Sequence, residues 1–260
     1  MARKVYYYSD PLHDDFAGND IKTVPTPADF EYIPRSKAFR AVGNILYFGV
    51  AKPVTWIFDK VVLHQKYINK KVIKPYRKTG RFYFGNHTLE AGDAFIPNHI
   101  SAGRNYIVTS PDATSIKGIR TIVQMFGALP VPSGVGGARR FCAAVTELTE
   151  KGYSVTVYPE AHIWPRYTKI RPFGAESFTM PADTGAPCFS FTNVYFRSRI
   201  PFIKRPVVKT YINGPFFPDM SLPKRERAKD LRDRVYESMV YEAEKQEQYI
   251  TNTFIEKKEP

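Results

Sequence analysis

The chain has 260 residues, enough for one large domain with a substantial core. Hydrophobic residues at 43% against 24% charged exclude global disorder, and two cysteines, Cys142 and Cys188, exclude a disulfide framework. The formal charge of +13 is concentrated, because residues 35–81 carry 12 basic side chains against one acid, Asp59. Such a block selects an anionic partner, either nucleic acid or a membrane surface.

Residues 1–34 are turn-rich and aperiodic ("DPLHDD", "VPTPADF") and read as an extended arm. Residues 35–78 follow as an amphipathic helical segment. Within them "FRAVGNILYFGVAKPVTWIFDKVVLHQKYI" (39–68) mixes aliphatic and aromatic residues with lysines. Its longest uncharged run, Ala41 to Ala51, is 11 residues, short of the roughly 20 a spanning helix needs. Two helical pieces broken at Pro53 suit interfacial burial, with the basic side chains reaching lipid headgroups. Aliphatic runs of this kind favour an anionic membrane surface over nucleic acid as partner. No cleavable signal segment is visible, which points to the cytoplasmic face of the cell membrane, with peripheral or monotopic attachment.

From residue 79 to 220 the pattern becomes αβ. Strands are expected at "RFYFGN" (81–86), "NYIVT" (105–109), "ALPVP" (128–132), "YSVTVY" (153–158), "APCFSFTNVYF" (186–196) and "PVVKTYING" (206–214). Between them, "TSIKGIRTIVQMFG" (114–127) sets Ile116, Ile119, Ile122, Val123 and Phe126 on one helical face. "ARRFCAAVTELTEKG" (138–152) predicts a helix burying Phe141, Ala144, Val145 and Leu148, with Cys142 packed at its apolar flank. A charge-laced helix and tail fill 221–260. This alternation implies a mostly parallel central sheet flanked by helices, an α/β fold whose last strands can turn antiparallel.

On such a sheet, ligands gather at the carboxyl ends of the strands. Asn86-His87 and Pro159-Glu160 both sit just past predicted strand ends. His87 with Asp93 supplies an imidazole and a carboxylate with five residues between them, and Gly92 can bend that turn. A carboxylate on one ring nitrogen fixes the tautomer and frees the other as a base. Glu90 competes with Asp93 for that place. With no nucleophile motif beside it, such a pair suits direct deprotonation of a substrate hydroxyl. "GVGGAR" (134–139) is a poor dinucleotide fingerprint, though a helix start there can meet a phosphate. The histidines and cysteines lack paired metal-ligand spacing, His87, Asp93 and His99 included, so no metal and no cofactor is expected.

In order and spacing, five blocks resemble the glycerolipid acyltransferases of the lysophosphatidic acid acyltransferase superfamily. They are "GNHTLEAGDAFIP" (85–97), "FGALPVPSG" (126–134), "GYSVTVYPEAHIWPR" (152–166), "GAPCFSFTNVY" (185–195) and "VVKTYINGPFFPD" (207–219). The first is an H-x5-D variant of the commoner H-x4-D. Ala161, His162 and Ile163 stand where Gly, Thr and Arg are usual, and Ser133 replaces an arginine. The resemblance implies His87 as general base, Asp93 as its partner, and a backbone N–H near the second block for the oxyanion. It further implies headgroup contacts from Asn86, Glu160 and His162, with Arg139, Arg166 or Arg171 meeting the phosphate. The implied donor is acyl-CoA or acyl-carrier protein, and the implied acceptor is a lysophospholipid, 1-acyl-glycerol-3-phosphate. A sibling enzyme with another alcohol acceptor, or a non-catalytic basic module binding membrane or RNA, are the alternatives.

Overall fold

Runs rich in Phe, Tyr and Val form nine strands among the described residues, and the computed structural model shows where each lies for residues 3–16, 23–115, 118–203 and 205–257. In chain order, β1 (Lys4–Tyr8) precedes one long helix, Lys37–Val61, made of α1 (Lys37–Ile45), a π-helical stretch and α2 (Lys52–Val61). β2 (Lys66–Ile68), a 3-10 helix (Lys70–Tyr76) and β3 (Arg81–Gly85) follow, then α3 (Ile96–Ile100) and β4 (Asn105–Thr109). Next come α4 (Asp112–Ser115), α5 (Arg120–Met125), β5 (Ala128–Pro130), α6 (Gly134–Glu150) and β6 (Ser154–Val157). The chain ends with α7 (Thr179–Thr184), β7 (Cys188–Phe196), β8 (Val207–Phe216), α8 (Lys224–Lys245) and β9 (Asn252–Glu256).

The main sheet has the order β2-β8-β7-β3-β6-β4-β5. Strands β3 to β7 run parallel, and only the β7–β8 pairing is antiparallel. Both faces are covered, as a parallel sheet requires. Phe82, Phe84 and Val155 point to the side held by α6, α7 and α8. Tyr83, Phe189, Phe191 and Tyr195 point to the other, where Ile73, Ile96 and Ile100 close the core. Period-2 alternation along β3 separates these two sets.

Several sequence expectations shift. Pro53 does not break the long helix; the π-helical stretch Leu46–Ala51 ends just before it. A proline has no N–H to donate and its ring crowds the preceding turn, and a widened turn absorbs both. The joined helix is long and apolar enough to cross a membrane by length and composition. Residues 114–127 form two short pieces rather than one helix, parted at Gly118, whose φ of +82° is left-handed. Ile119 and Ile122 are exposed there, and Ile116 lies outside the described residues. Cys142 is exposed, so it does not pack in the core. The arm is not featureless: β1 pairs with β9 in parallel, Tyr6 opposite Phe254. Residues 1, 2 and 17–22 of the arm and 258–260 of the tail lie outside the described residues. Helix α8 buries Leu231, Val235 and Met239 in the main core, since its charges occupy the other faces.

The long helix docks through polar contacts. Tyr47 donates its hydroxyl to Asn98 Oδ1 at 2.9 Å and accepts from the Asn105 N–H. Asp59 is buried, accepts from the Tyr67 hydroxyl at 2.6 Å, and stands 3.6 Å from His99 Nε2, which also meets Thr55 Oγ1. Burial pushes the Asp59 carboxyl up to about 6, against the pull of Tyr67 and Lys60. Burial, with Lys52, Lys70 and Lys60, pushes His99 down to about 4.

These shifts have opposite signs in stability. The raised Asp59 value removes stability as pH rises from 3.8 through about 6. The lowered His99 value removes stability as pH falls from 6.5 through about 4. In the native protein the two slopes largely cancel. In Asp59→Asn only the His99 slope remains, so stability relative to wild type should fall by roughly 2 kcal/mol on acidification through that window. His99→Gln should show the reverse slope. Urea midpoints measured across the window check this, and parallel profiles for both variants would refute the pairing.

Candidate active site

The in-register pairing of Phe84 with Val157 brings the ends of β3 and β6 side by side. Everything past those ends therefore meets: Asn86-His87 from one strand, Tyr158 to Glu160 from the other. Close packing fixes the exit of β3, because a β-carbon at Gly85 would stand 2.2 Å from the Phe191 ring.

His87 and Asp93 come together. Nδ1 of the imidazole lies 2.8 Å from Asp93 Oδ2, with side chains 18% and 3% exposed. The extra residue of the H-x5-D loop is taken up in a tight turn: the Asp93 N–H donates to the Leu89 carbonyl at 3.0 Å. In return the Leu89 N–H donates to Asp93 Oδ2 at 2.9 Å. Glu90, the competing acid, is exposed and takes no part. Burial pushes the Asp93 carboxyl up, and the hydrogen bond from His87 opposes it.

Tyr158 stacks on the imidazole, ring centres 4.5 Å apart and planes 19° from parallel, and donates its hydroxyl to the Asp93 carbonyl at 2.6 Å. One ring nitrogen is thus bound and one ring face covered. Among the described residues, no protein group hydrogen-bonds Nε2 of His87, and the side chain is 18% exposed. An imidazole anchored at Nδ1 and open at Nε2 is arranged to accept a proton from a ligand.

Glu160 and Arg171 differ from expectation. The Glu160 carboxylate accepts from the His87 N–H and from the Arg171 N–H, each at 3.0 Å. The Arg171 guanidinium lies 3.4 Å from the same carboxylate, and both side chains are buried, 1% and 0% exposed. Arg171 also donates to the carbonyls of Glu160, His162 and Pro11, and lies over the Trp164 ring at 5.0 Å. These two residues hold the His87 loop and have no surface left for a headgroup. Burial pushes the Glu160 carboxyl up, and Arg171 draws it back.

Asn86 is likewise committed. Its amide donates to the Asn193 carbonyl at 3.1 Å and accepts from the Asn193 N–H at 2.8 Å, so the side chain prolongs the β3–β7 ladder. Asn193 then reaches Asp93 Oδ1 at 3.4 Å. A polar residue within the apolar fourth block was the signal for Asn193, and Tyr158 preceding Pro159-Glu160 was the signal for the stacking ring.

The remaining candidates scatter. His162 is half-buried, its Nδ1 3.6 Å from Asp15 of the arm. Arg166 holds a left-handed φ of +56° and donates its N–H to the Thr88 carbonyl at 2.8 Å, which sets it beside His87. Ala161 also holds a left-handed φ, +61°, where glycine would be unstrained. Arg139 is exposed on α6 beyond edge strand β5. Strands β6 and β4 separate β5 from β3, an offset of roughly 14 Å at ordinary strand spacing. His99 turns away to Thr55 and Asp59 and does not join the dyad.

Both chain termini brace this loop. Trp164 stacks on Phe254 of β9 at 5.1 Å and 6°, and meets Tyr8 of β1 in a tilted contact at 4.7 Å. Its indole donates to the Asp14 carbonyl, and its backbone N–H donates to the His87 carbonyl at 3.1 Å.

No family model matches the chain, and no curated protein does. Among solved structures it is similar to the 1-acyl-sn-glycerophosphate (LPA) acyltransferase PlsC from Thermotoga maritima. The identity is 16%, over 80% of this chain and 84% of that one, with a TM-score of 0.49.

Arg171→Met leaves a buried carboxylate without its cation and is expected to cost about 3–5 kcal/mol in urea denaturation. The double variant Arg171→Met, Glu160→Leu should recover little, because the N–H groups of His87 and Arg171 are then buried without an acceptor. Full recovery in the double variant would show that Glu160 does not hold the His87 loop.

Proposed function

We propose that the protein is an O-acyltransferase that moves a fatty acyl group from a thioester to the hydroxyl of 1-acyl-glycerol-3-phosphate, giving phosphatidate. The observation that carries this reading is the His87–Asp93 pair, anchored through Nδ1 at 2.8 Å with Nε2 unengaged at the strand ends of the sheet. No serine, threonine or cysteine side chain hydrogen-bonds the His87 ring among the described residues, so a base acting directly on the acceptor fits better than an acyl-enzyme route.

In this reading His87 Nε2 takes the proton of the acceptor hydroxyl as its oxygen attacks the thioester carbonyl. The new C–O bond forms, the C–S bond breaks, and the imidazolium returns the proton to the departing thiolate. Asp93 holds the tautomer and balances the charge that develops on the ring. In this reading Arg166, tied by its backbone N–H to Thr88 beside His87, meets the acceptor phosphate. Acyl-CoA and acyl-carrier protein both remain donors of the right chemistry. The long helix places eight large apolar side chains outward, including Val42, Ile45, Val54, Trp56 and Ile57. Because Tyr47, Thr55 and Asp59 dock it lengthwise on the domain, it suits a bilayer surface rather than a span.

The replacement of the usual Gly-Thr-Arg by Ala161-His162-Ile163, with Arg171 buried, favours a second reading: the same chemistry on a different alcohol acceptor. A non-catalytic membrane module would release no thiol at all. Incubation with labelled acyl-CoA and a panel of lysophospholipids, read by thiol release and product mass, separates the three. His87→Ala is expected to lower transfer by roughly a hundred- to ten-thousand-fold while vesicle binding persists. Undiminished transfer in that variant would refute the dyad.

A further inference from the structure

A cavity of about 580 Å³ opens between α2 and the sheet edge, and neither His87 nor Asp93 lines it. Lys52, Trp56 and Lys60 line it from one face of α2, since positions four apart stack along a helix. Tyr67, Lys70 and His99 complete the wall. None of these residues hydrogen-bonds His87 or Asp93.

Three ammonium groups converge here. Lys60 and Lys70 flank the same Tyr67 ring, 5.4 and 5.6 Å from its centre, and Lys52 lies 5.6 Å from the Phe48 ring. Each head donates to one backbone carbonyl: Lys52 to Ser101 at 3.2 Å, Lys60 to Gln65 at 3.0 Å, Lys70 to His99. An ammonium has three donors, so most of this capacity is unused. None of the three makes an ion pair among the described residues. The one buried acid nearby, Asp59, is engaged with Tyr67 and faces His99 instead. Mutual repulsion is felt in the site: after burial, Lys70 lowers the Lys52 pKa and Lys60 lowers that of Lys70. Three like charges held around one cavity, with only the Asp59 carboxyl nearby to offset them, are stabilised by an anion with several acceptor oxygens.

We infer that this cavity binds a phosphate-bearing anion, and that its occupant is the phosphate headgroup of an anionic glycerophospholipid at the bilayer surface. The volume suits a glycerophosphate group. Val54, Ile57 and Val61, exposed on the same helix, would meet the acyl chains while the lysines hold the headgroup. The choice of a lipid source rests on the membrane-surface reading above; the phosphate chemistry does not.

The test uses the full chain, sedimented with vesicles of phosphatidylcholine alone and of phosphatidylcholine mixed with phosphatidate. Wild type should prefer the mixed vesicles. The triple variant Lys52→Gln, Lys60→Gln, Lys70→Gln should lose that preference by at least about tenfold more than Lys71→Gln, Lys74→Gln, Lys78→Gln, which removes equal charge outside the cavity. Phosphatidylcholine binding should be retained in both. Equal losses in the two triples, or no preference in wild type, overturns the headgroup site. A wild type that sediments with neither vesicle fails the membrane reading. If glycerol 3-phosphate then raises its melting temperature, and the cavity triple abolishes the rise, a free phosphate ester is the occupant instead. No shift in that case overturns the site altogether. Circular dichroism melts verify folding, and Lys60→Glu alone, at an exposed position, replaces the triple variant if that one does not fold.

Discussion

A single buried carboxylate organises the loops at the ends of β3 and β6. Glu160 sits where β3 and β6 end together and accepts hydrogen bonds from the backbone of both His87 and Arg171. Removing a charge from water is costly, and an arginine pair alone often fails to offset it. The carboxylate persists here because it also satisfies two buried N–H groups that no strand partner reaches. Its geometry fixes where the His87 backbone leaves the sheet, and the aromatic brace of Trp164, Tyr8 and Phe254 holds the same loop from the far side.

Division of labour around the imidazole follows from that frame. Asp93 and the Tyr158 ring occupy one nitrogen and one face, and no group among the described residues hydrogen-bonds the other nitrogen. Asn86 and Asn193, bonded to each other's strands, prevent the loop from sliding along β7. The polar residues nearest the imidazole are therefore spent on rigidity, holding the ring in one position. The basic-aromatic helix lies apart from this cluster and carries charge and apolar surface instead.

Sequence patterning exposed the strands well, because β-branched and aromatic runs ended by glycine or proline leave little choice of period. It also brought His87 and Asp93 forward, as short spacing limits where a side chain can go. It failed where a residue's role depends on what is packed above it. Glu160, Asn86 and Arg171 have the composition of ligand-binding groups, yet the β3–β6–β7 pairing covers them. Cys142 has an apolar residue's helical position but lies off the buried stripe of α6. Pro53 reads as a break, and a local widening of the helix passes through it.

The amino-acid order by itself determined the alternation of strands and helices, the placement of His87 and Asp93 at a strand end, and the concentration of positive charge in one segment. These are consequences of local period and spacing. Only the tertiary structure decided that Asp93 and not Glu90 meets the imidazole, that Glu160 turns inward to Arg171, and that Lys52, Lys60 and Lys70 share one cavity. Each of those outcomes depends on which strand ends become neighbours and which helix lies across them. Such long-range pairings are set by burial of the whole core, and no short stretch of sequence encodes them.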